Sequence, residues 1–247
     1  MRSVFLGEYR GAEGAPAPCH RFGTQGSRYW RGKGAPTAFV KAKIHYLHRS
    51  NMEEIIIATK NKGKLKEFTR MLSPLGYKVI SAEEAGFTDE IEETGATFAE
   101  NAALKARAIA KACGKAAIGD DSGLCVDALG GAPGVYSARY AGDGHDDEAN
   151  IVKLLKNMND VPDGARAAHF ECAIVCAFPN GDEICARGVC DGEILHEKRG
   201  EGGFGYDPVF KTARGKSFGE LSPEEKDEIS HRGRALRELV KLLGEKG

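Results

Sequence analysis

Two adjacent aspartates, Asp120 and Asp121, follow a short apolar run in the stretch IGDDSGLCVD. A carboxylate beside a protein core must be hydrated, paired with a cation or bound to a metal, because burying it without compensation is very costly. Mg²⁺ prefers oxygen ligands and is commonly held by one or two carboxylates together with substrate phosphates. The pair therefore indicates a metal site that handles phosphates. A hydrogen-bonded turn before Gly123 is the alternative.

Two charged segments could serve the same chemistry. Residues 88–95, TDEIEETG, offer further carboxylates for a metal, or they form a solvated acidic loop. Residues 58–64, ATKNKGK, place three lysines where a strand passes into a helix. The amides and dipole of a helix N-terminus favour an anion there, although a solvated lysine run fits the same letters. The GxxxxGK[ST] spacing of a Walker loop is absent.

Two later segments could hold a base. The glycines of GEGGFGYDPVF, residues 200–210, let the backbone approach a ligand closely. Phe204 or Tyr206 could then stack on a base, an interaction worth about 1–3 kcal/mol. In EKDEISHRG, residues 225–233, His231 and Arg232 could donate to a base carbonyl. Each segment alone also fits an ordinary core or surface role. All five together predict a nucleoside triphosphate site.

The elements that must position these residues alternate between strands and helices. Apolar runs and two-residue periods predict strands at 55–59, 77–81, 115–119, 169–178 and 183–195, the last two joined by an Asn-Gly turn. Helical spacing and capping signals predict helices over 62–75, 98–113, 145–158 and 223–244. The pattern predicts a mixed α/β fold with a strand–helix start and a central antiparallel hairpin.

The charge is distributed unevenly along the 247 residues. Residues 1–51 hold nine Lys or Arg and two acids, a net +7, so residues 52–247 carry −8 within the overall −1. No helical or strand period persists in residues 1–51, which we therefore interpret as an extraneous or disordered extension. A targeting peptide is the weaker alternative. The folded domain is predicted over 52–247, and its negative charge argues against nucleic-acid binding.

The seven cysteines are an odd number and include no CxxC pair, which favours free thiols in a reducing cytoplasm over a disulfide or zinc framework. No apolar run approaches the roughly 18 residues of a membrane span. We therefore expect no membrane association.

Five segments, in this order, carry a family resemblance: ATKNKGKLKEF, EETGATFAENAALKA, IGDDSGLCVDALGGAPGVYSARYAG, GGFGYDPVF and EEKDEISHRGRAL. From about residue 53 to 243 the chain resembles the noncanonical purine nucleoside triphosphate pyrophosphatases, the inosine/xanthosine triphosphatase family. The resemblance implies Mg²⁺-dependent hydrolysis of ITP, dITP and XTP to the monophosphate and pyrophosphate. It also implies a homodimer with an elongated, two-lobed α/β fold, a long mixed sheet and an active-site cleft between the lobes.

The resemblance also assigns residue roles. Asp121 matches the catalytic acid, a proton acceptor and metal ligand, and a second metal carboxylate is expected in Glu90–Glu93, with Glu92 favoured and then Glu90. The implied substrate contacts are Thr59, Lys60, Asn61, Lys62, Gly63, Lys64, Ser122, Phe204, Gly205, Tyr206, Asp207, Lys226, His231 and Arg232. In the mechanism this predicts, Asp121 activates a water that attacks the α-phosphorus, while Lys64 and Lys226 stabilise the leaving pyrophosphate. The Asp121 carboxylate should then share one hollow with Lys64, Lys226 and Arg232.

Other functions fit parts of the sequence. A nucleotide sensor would bind without releasing pyrophosphate, and a nucleic-acid-binding protein would show steep salt dependence. Pyrophosphate release from another nucleotide class, such as modified pyrimidines, is the nearest rival.

Overall fold

The computed structural model describes residues 53–244. The predicted extension 1–51 lies outside the described residues. The strands are β1 (Glu53–Ala58), β2 (Tyr77–Ser81), β3 (Ala117–Val126), β4 (Ala167–Ala177), β5 (Glu183–Ile194) and β6 (Phe210–Thr212). The helices are α1 (Lys62–Leu72), α2 (Phe98–Cys113), α3 (Asp147–Asn157), α4 (Pro223–Ile229) and α5 (His231–Gly244). The predicted α/β class is confirmed.

The strands form one mixed sheet in the order β2-β1-β3-β4-β5-β6. β1 pairs in parallel with β2 and β3, whereas β3, β4, β5 and β6 pair antiparallel in turn. The β4–β5 hairpin turns at residues 178–182, where Gly181 has φ +85°, as the Asn-Gly signal predicted.

Separate hydrophobic clusters cover the two faces of the sheet centre. Phe68 of α1 and Leu239 of α5 share one cluster with β3 and β4. Ile109 of α2 belongs to the cluster on the opposite face. A third cluster joins Leu124 of β3 and Leu154 of α3 to the region around β6. The two faces of β3 therefore meet different helices.

Close backbone contacts set how near two of these helices lie. A Cβ on Gly119 of β3 would lie 1.9 Å from the Ala102 carbonyl oxygen of α2. A Cβ on Gly188 of β5 would lie 2.1 Å from the His231 carbonyl oxygen at the start of α5. Both helices approach the sheet at glycine, because a larger residue would separate the backbones.

The prediction that the third strand ends before the two aspartates is wrong. β3 continues through Val126 and pairs with β4 from Ala117 to Val126, so Asp120 and Asp121 lie in its interior. The alternative interpretation, a turn at these residues, is also wrong. The strand tolerates both carboxylates because cations meet each of them. A prediction that ends a strand where its apolar residues end does not detect such cations.

The prediction of one continuous C-terminal helix is wrong as well. α4 ends before Ser230, which has extended backbone angles of φ −66° and ψ 157°. The Ser230 hydroxyl then accepts a hydrogen bond from the Gly233 amide at 3.0 Å, as an N-cap of α5 does. Lys226 and Arg232 therefore belong to different helices.

Candidate active site

Asp120 and Asp121 are neighbours on β3, so their side chains point to opposite faces of the sheet. Asp120 shares its face with Ser122 and meets α1 and α5, whereas Asp121 meets α2. This division corrects the expected geometry: the carboxylate that joins Lys64 and Arg232 is that of Asp120.

The Asp120 side has a buried ion-pair network. Lys64 Nζ lies 2.5 Å from Asp120 Oδ1, and Arg232 Nε donates to Asp120 Oδ2 at 3.1 Å. The Cys172 thiol of β4 also donates to Asp120 Oδ2, at 2.9 Å. Arg232 Nη2 donates to the Ser122 hydroxyl at 2.8 Å. The Asp120 carboxylate thus joins α1, α5 and β4 at one point.

A buried glutamate extends this network. The Glu67 carboxylate of α1 pairs with Arg232 Nη1 and lies 2.9 Å from Lys226 Nζ. Lys226 Nζ lies 2.6 Å from Asp207 Oδ2 as well. Three cations therefore face three carboxylates, and the side chains of all but Lys64 are less than 10% exposed.

The pairing decides the ionisation of these acids. Burial by itself raises the pKa of Asp120, but Arg232 and Lys64 outweigh it and hold the pKa well below the ordinary value. Burial opposes ionisation of Glu67 too, yet Arg232 and Lys226 lower its pKa to about 2. Both carboxylates stay charged at neutral pH.

On the opposite face, Asp121 has fewer charged partners. Asn101 Nδ2 donates to Asp121 Oδ2 at 3.0 Å, and Lys105 Nζ lies 3.6 Å from Asp121 Oδ1. The Lys105 ammonium also contacts Glu93 Oε1, at 2.6 Å. Burial raises the pKa of Asp121 against the attraction of Lys105 and Lys64. Two carboxylates share one close ammonium here, so this face has surplus negative charge.

Among the acidic residues of 90–93, Glu93 lies near Asp121, because both carboxylates contact the Lys105 ammonium. Glu90 and Glu92, which the resemblance favoured as metal ligands, are exposed. Among residues 53–244 neither one forms an ion pair. Their metal-binding role stays a prediction.

The predicted phosphate loop lies between β1 and α1. Asn61 caps α1 by accepting hydrogen bonds from the amides of Gly63 at 2.8 Å and Lys64 at 3.0 Å. The Thr59 hydroxyl accepts one from the Asn61 amide at 3.1 Å. Lys60 and Lys62 are exposed, and the first turn of α1 contains no acid. The loop is therefore ordered by its own polar side chains and faces solvent with positive charge.

The predicted base loop meets the phosphate loop at Phe204. A Cβ on Gly63 would lie 2.6 Å from Phe204 Cδ1, so the ring rests against the start of α1. Lys226 Nζ lies 4.6 Å from the centre of the same ring and Arg232 Cζ 5.8 Å, as in cation–π pairs. Phe204 is half-buried and keeps part of its ring accessible.

The other residues of this loop use their side chains or amides to hold the loop in place. Tyr206 is buried in a hydrophobic cluster, and its hydroxyl donates to the Ser137 carbonyl at 2.8 Å. Asp207 accepts from the Phe204 amide at 2.9 Å, and Gly205 donates its amide to Asp147 at 2.8 Å. The suggestion of Tyr206 as a stacking platform is wrong, since its ring is enclosed in the core, whereas Phe204 remains available.

His231 is the residue of the site with a spare hydrogen-bonding atom. Its ring stacks on Phe170 with centres 4.6 Å apart, and among the described residues its Nδ1 is the single buried side-chain nitrogen or oxygen without a partner. Burial, Arg232 and Lys226 lower the pKa of His231 well below its usual value. The imidazole is therefore neutral and can donate or accept.

Sequence interpretation missed Glu67, Asn101 and Lys105. All three carried a signal, because each polar residue falls on the apolar face of its helix. Glu67 precedes the buried Phe68, whereas Asn101 and Lys105 are one turn apart beside the buried Ala102 and Ala106. A charged residue in a buried stripe needs a partner, and here each partner lies on another element.

Comparison with known proteins identifies the family to which this chain belongs. The Ham1 family profile matches residues 55–242. The chain belongs to the Ham1 family. The dITP/XTP pyrophosphatase of Bacillus subtilis (strain 168) is 53% identical over 193 residues, covering 78% of this chain and 98% of that protein. The protein of the same name from Desulforamulus reducens is 53% identical over 192 residues, covering 77% of this chain and 95% of its own length.

Solved Ham1 structures share the fold. The Staphylococcus aureus Ham1 protein is 44% identical, with a TM-score of 0.71, over 79% of this chain and all of that one (100%). The nucleoside-triphosphatase / dITP/XTP pyrophosphatase of Mycobacterium abscessus is 43% identical, with a TM-score of 0.62, over 77% of this chain and 99% of that one. No helix among residues 53–244 combines the length and apolar character that crossing a membrane requires.

Proposed function

We propose that this chain hydrolyses noncanonical purine nucleoside triphosphates, namely ITP, dITP and XTP, to the monophosphate and pyrophosphate. The observation that carries the proposal is its 53% identity with a dITP/XTP pyrophosphatase over 98% of that protein. The geometry agrees, because the predicted phosphate loop and base loop meet at Gly63 and Phe204, next to Lys226 and Arg232. The chain is then a hydrolase that removes unwanted purines from the nucleotide pool.

The Asp121 face fits a magnesium ion. Asp121 and Glu93 offer hard oxygen donors that share one ammonium, Lys105. This matches the one or two protein carboxylates with which Mg²⁺ is commonly held beside substrate phosphates. When bound, Mg²⁺ supplies charge neutralisation and acidifies water. We place Glu93 as the second ligand, because Glu90 and Glu92 face solvent.

The protein's own groups divide the remaining work. Asn101 fixes the Asp121 carboxylate from one side at 3.0 Å, which positions it to accept a proton. The proton of the attacking water goes to Asp121 as the bond from the α-phosphorus to the leaving pyrophosphate breaks. Lys64, whose side chain is 15% exposed, can contact the departing phosphates. Lys226 holds the Phe204 ring and is itself held by two carboxylates.

The base pocket supports discrimination at purine position 6. The neutral His231 imidazole has its unpartnered Nδ1 in a buried position. A site that donates to a 6-oxo group meets another donor in the adenine amino group, and such mismatches can discriminate by about 10⁴-fold or more. Modified pyrimidine triphosphates are the second candidate class, since Phe204 would stack on any base.

The test is pyrophosphate release from a panel of nucleotides in the presence and absence of Mg²⁺. We expect release from ITP, dITP and XTP, little from ATP, and none after chelation. Release from pyrimidines alone would replace the substrate class, and binding without release would indicate a sensor.

We further propose a cytoplasmic homodimer. A cytoplasmic location is supported by the cysteines, because all six that the structure describes are free thiols, as is usual in a reducing compartment. The dimer is supported by the family resemblance. Light scattering on the purified full chain should give twice the 26.5 kDa mass of one chain, and a monomeric mass would remove this part of the proposal.

A further inference from the structure

The loop that carries Phe204 donates two successive backbone amides to carboxylates. The Phe204 amide donates to Asp207, a contact within the loop itself. The Gly205 amide donates to Asp147 Oδ2 at 2.8 Å, and Asp147 lies in the first turn of α3. The second contact joins residues 58 positions apart in the chain. It therefore fixes the loop relative to α3, as the pair of Asp207 with Lys226 fixes it relative to α4.

We propose that Asp147 is a positioning residue for the nucleobase side of the site, acting through the Gly205 amide on the neighbouring Phe204 ring. This inference rests on the proposed function, because it takes Phe204 to be the surface against which the base lies. The Asp147 side chain contacts the Gly205 amide and not the cation network, so we expect it to affect substrate through the loop.

The position of Phe204 matters because its ring contacts both the phosphate loop and the cation network. It rests against Gly63 at the start of α1, and Lys226 lies 4.6 Å from its centre. A small displacement of the ring would change the space left for a base between the loop and α1. Misplacements of about 1 Å can lower rates about 100-fold where geometry is demanding.

The chemistry of the contact suits a local anchor. A carboxylate that accepts from a backbone amide forms a charge-assisted hydrogen bond, stronger than a neutral one. Asp147 is exposed, so its loss should leave the hydrophobic core intact. Removing the contact should therefore loosen the loop without unfolding the protein.

The neighbouring acids provide matched controls. Asp146 is the N-cap of α3 and accepts from the Ala149 amide at 3.0 Å. Glu148 lies 2.6 Å from Lys198 in an exposed ion pair. Asp146→Ala removes the helix cap and Glu148→Ala removes a surface charge next to Asp147. In the structure the Gly205 contact belongs to Asp147 alone of these three acids.

The experiment compares Asp147→Ala, Asp147→Asn and the two controls in the full chain. Hydrogen exchange is measured for the peptide that contains Gly205, and calorimetry gives the affinities for inosine monophosphate and for pyrophosphate. Asp147→Ala should speed exchange at Gly205 and weaken monophosphate binding about 3- to 10-fold, the value of one such hydrogen bond. Pyrophosphate binding and the melting temperature should stay unchanged. Asp147→Asn, whose amide oxygen still accepts, should largely restore both readouts. The controls should match the wild type in Gly205 exchange and monophosphate affinity, although Asp146→Ala should lower the melting temperature by loss of its helix cap.

The outcomes separate the two proposals. Unchanged monophosphate affinity in Asp147→Ala overturns the positioning role, and so does an equal loss for both ligands, which would indicate a general structural effect. A wild-type protein that binds neither ligand and releases no pyrophosphate from any nucleotide overturns the proposed function instead. Unchanged exchange at Gly205 in Asp147→Ala overturns the anchor whatever the substrate proves to be.

Discussion

The Glu67 carboxylate of α1 lies 2.9 Å from the Lys226 ammonium of α4, although 159 residues separate them in the chain. The same carboxylate pairs with Arg232 of α5. One glutamate thus holds together three helices, and through them the two loops that the site uses.

We expect Glu67→Gln to destabilise the protein. It leaves Lys226 and Arg232 buried with one charged partner fewer, and breaking a buried pair typically costs about 3–5 kcal/mol. Urea unfolding at neutral pH measures the loss. Glu228→Gln is the control, because Glu228 pairs with Arg214 at 3.1 Å on the surface and such pairs contribute less than about 1 kcal/mol. Equal losses in the two variants would contradict the importance of burial.

Glu67 also predicts a dependence of stability on pH. Its pKa is lowered from 4.5 to about 2, so its ionisation stabilises the fold above the unfolded pKa. That contribution, of order 3 kcal/mol, should disappear as the pH falls through this interval. The free energy of unfolding, measured between about pH 6 and pH 3, should therefore fall more steeply for the wild type than for Glu67→Gln. Parallel curves would show that Glu67 does not titrate this way.

The two aspartates of β3 should respond oppositely to amidation. Asp120→Asn removes the carboxylate that Lys64 and Arg232 share, and we expect a loss of about 3–5 kcal/mol. Asp121→Asn should keep or raise the melting temperature, because burial raises the pKa of Asp121 and ionising it at neutral pH opposes folding. Turnover should nevertheless fall by orders of magnitude in Asp121→Asn, with nucleotide affinity nearly intact.

Calorimetry, nucleotide binding and pyrophosphate release check this contrast on the two purified variants. Full turnover in Asp121→Asn would remove this residue from the chemistry. A strong loss of stability in Asp121→Asn, with none in Asp120→Asn, would reverse the assignment of the two faces.

Two buried cysteines on β4 give a prediction that turns on hydrogen bonding. Cys172 donates to Asp120 at 2.9 Å, whereas Cys176 belongs to the same hydrophobic cluster. They are 0% and 1% exposed, so burial does not distinguish them. Cys172→Ser keeps a donor for Asp120 and should cost under about 1 kcal/mol, while Cys176→Ser buries a hydroxyl among apolar neighbours at a cost of about 1–3 kcal/mol. Denaturant unfolding of both variants measures these two losses. A larger loss in Cys172→Ser than in Cys176→Ser would count against the Cys172 contact.

The close approach of α5 to the sheet predicts a sensitive glycine. Gly188→Ala would bring a Cβ to 2.1 Å from the His231 carbonyl oxygen, so α5 must shift outward with Arg232. Overpacking of this kind costs about 1–3 kcal/mol, and turnover should fall with it. Gly144→Ala is the matched control, since its Cβ would meet no atom within 4 Å. Thermal unfolding and turnover of both variants check the prediction, which fails if the two behave alike.

The parts of the fold that could be predicted are those set by neighbouring residues. The capping box of Thr97 and Glu100 places the start of α2, and Gly114 ends it with φ +63°. The Asn-Gly turn likewise places the β4–β5 hairpin. In each case the signal and the structure it determines lie within a few residues.

The missed features depend on contacts between distant segments. β3 continues through Asp120 because Lys64 and Arg232 arrive from other elements. The break at Ser230 goes with a close passage of α5 beside α4, where a Cβ on Gly233 would lie 1.9 Å from the Asp227 carbonyl oxygen. Nothing in a local helical pattern anticipates that contact. For the same reason the expectation that the Asp121 carboxylate shares a hollow with Lys64 and Arg232 is wrong, since those cations meet Asp120.

The pairing of β3 with β4 also limits how this segment can change in length. Ten residues of β3 are held in fixed alignment with β4, and side chains alternate between faces along them. A single-residue insertion or deletion between Gly114 and Asp120, if absorbed by slippage, would exchange the two aspartates between faces. One of the two sites would then receive the wrong aspartate, and the other would receive Gly119 or Ser122 and lose its carboxylate. We therefore expect evolution and engineering to tolerate many replacements around this strand and very few changes in its residue count.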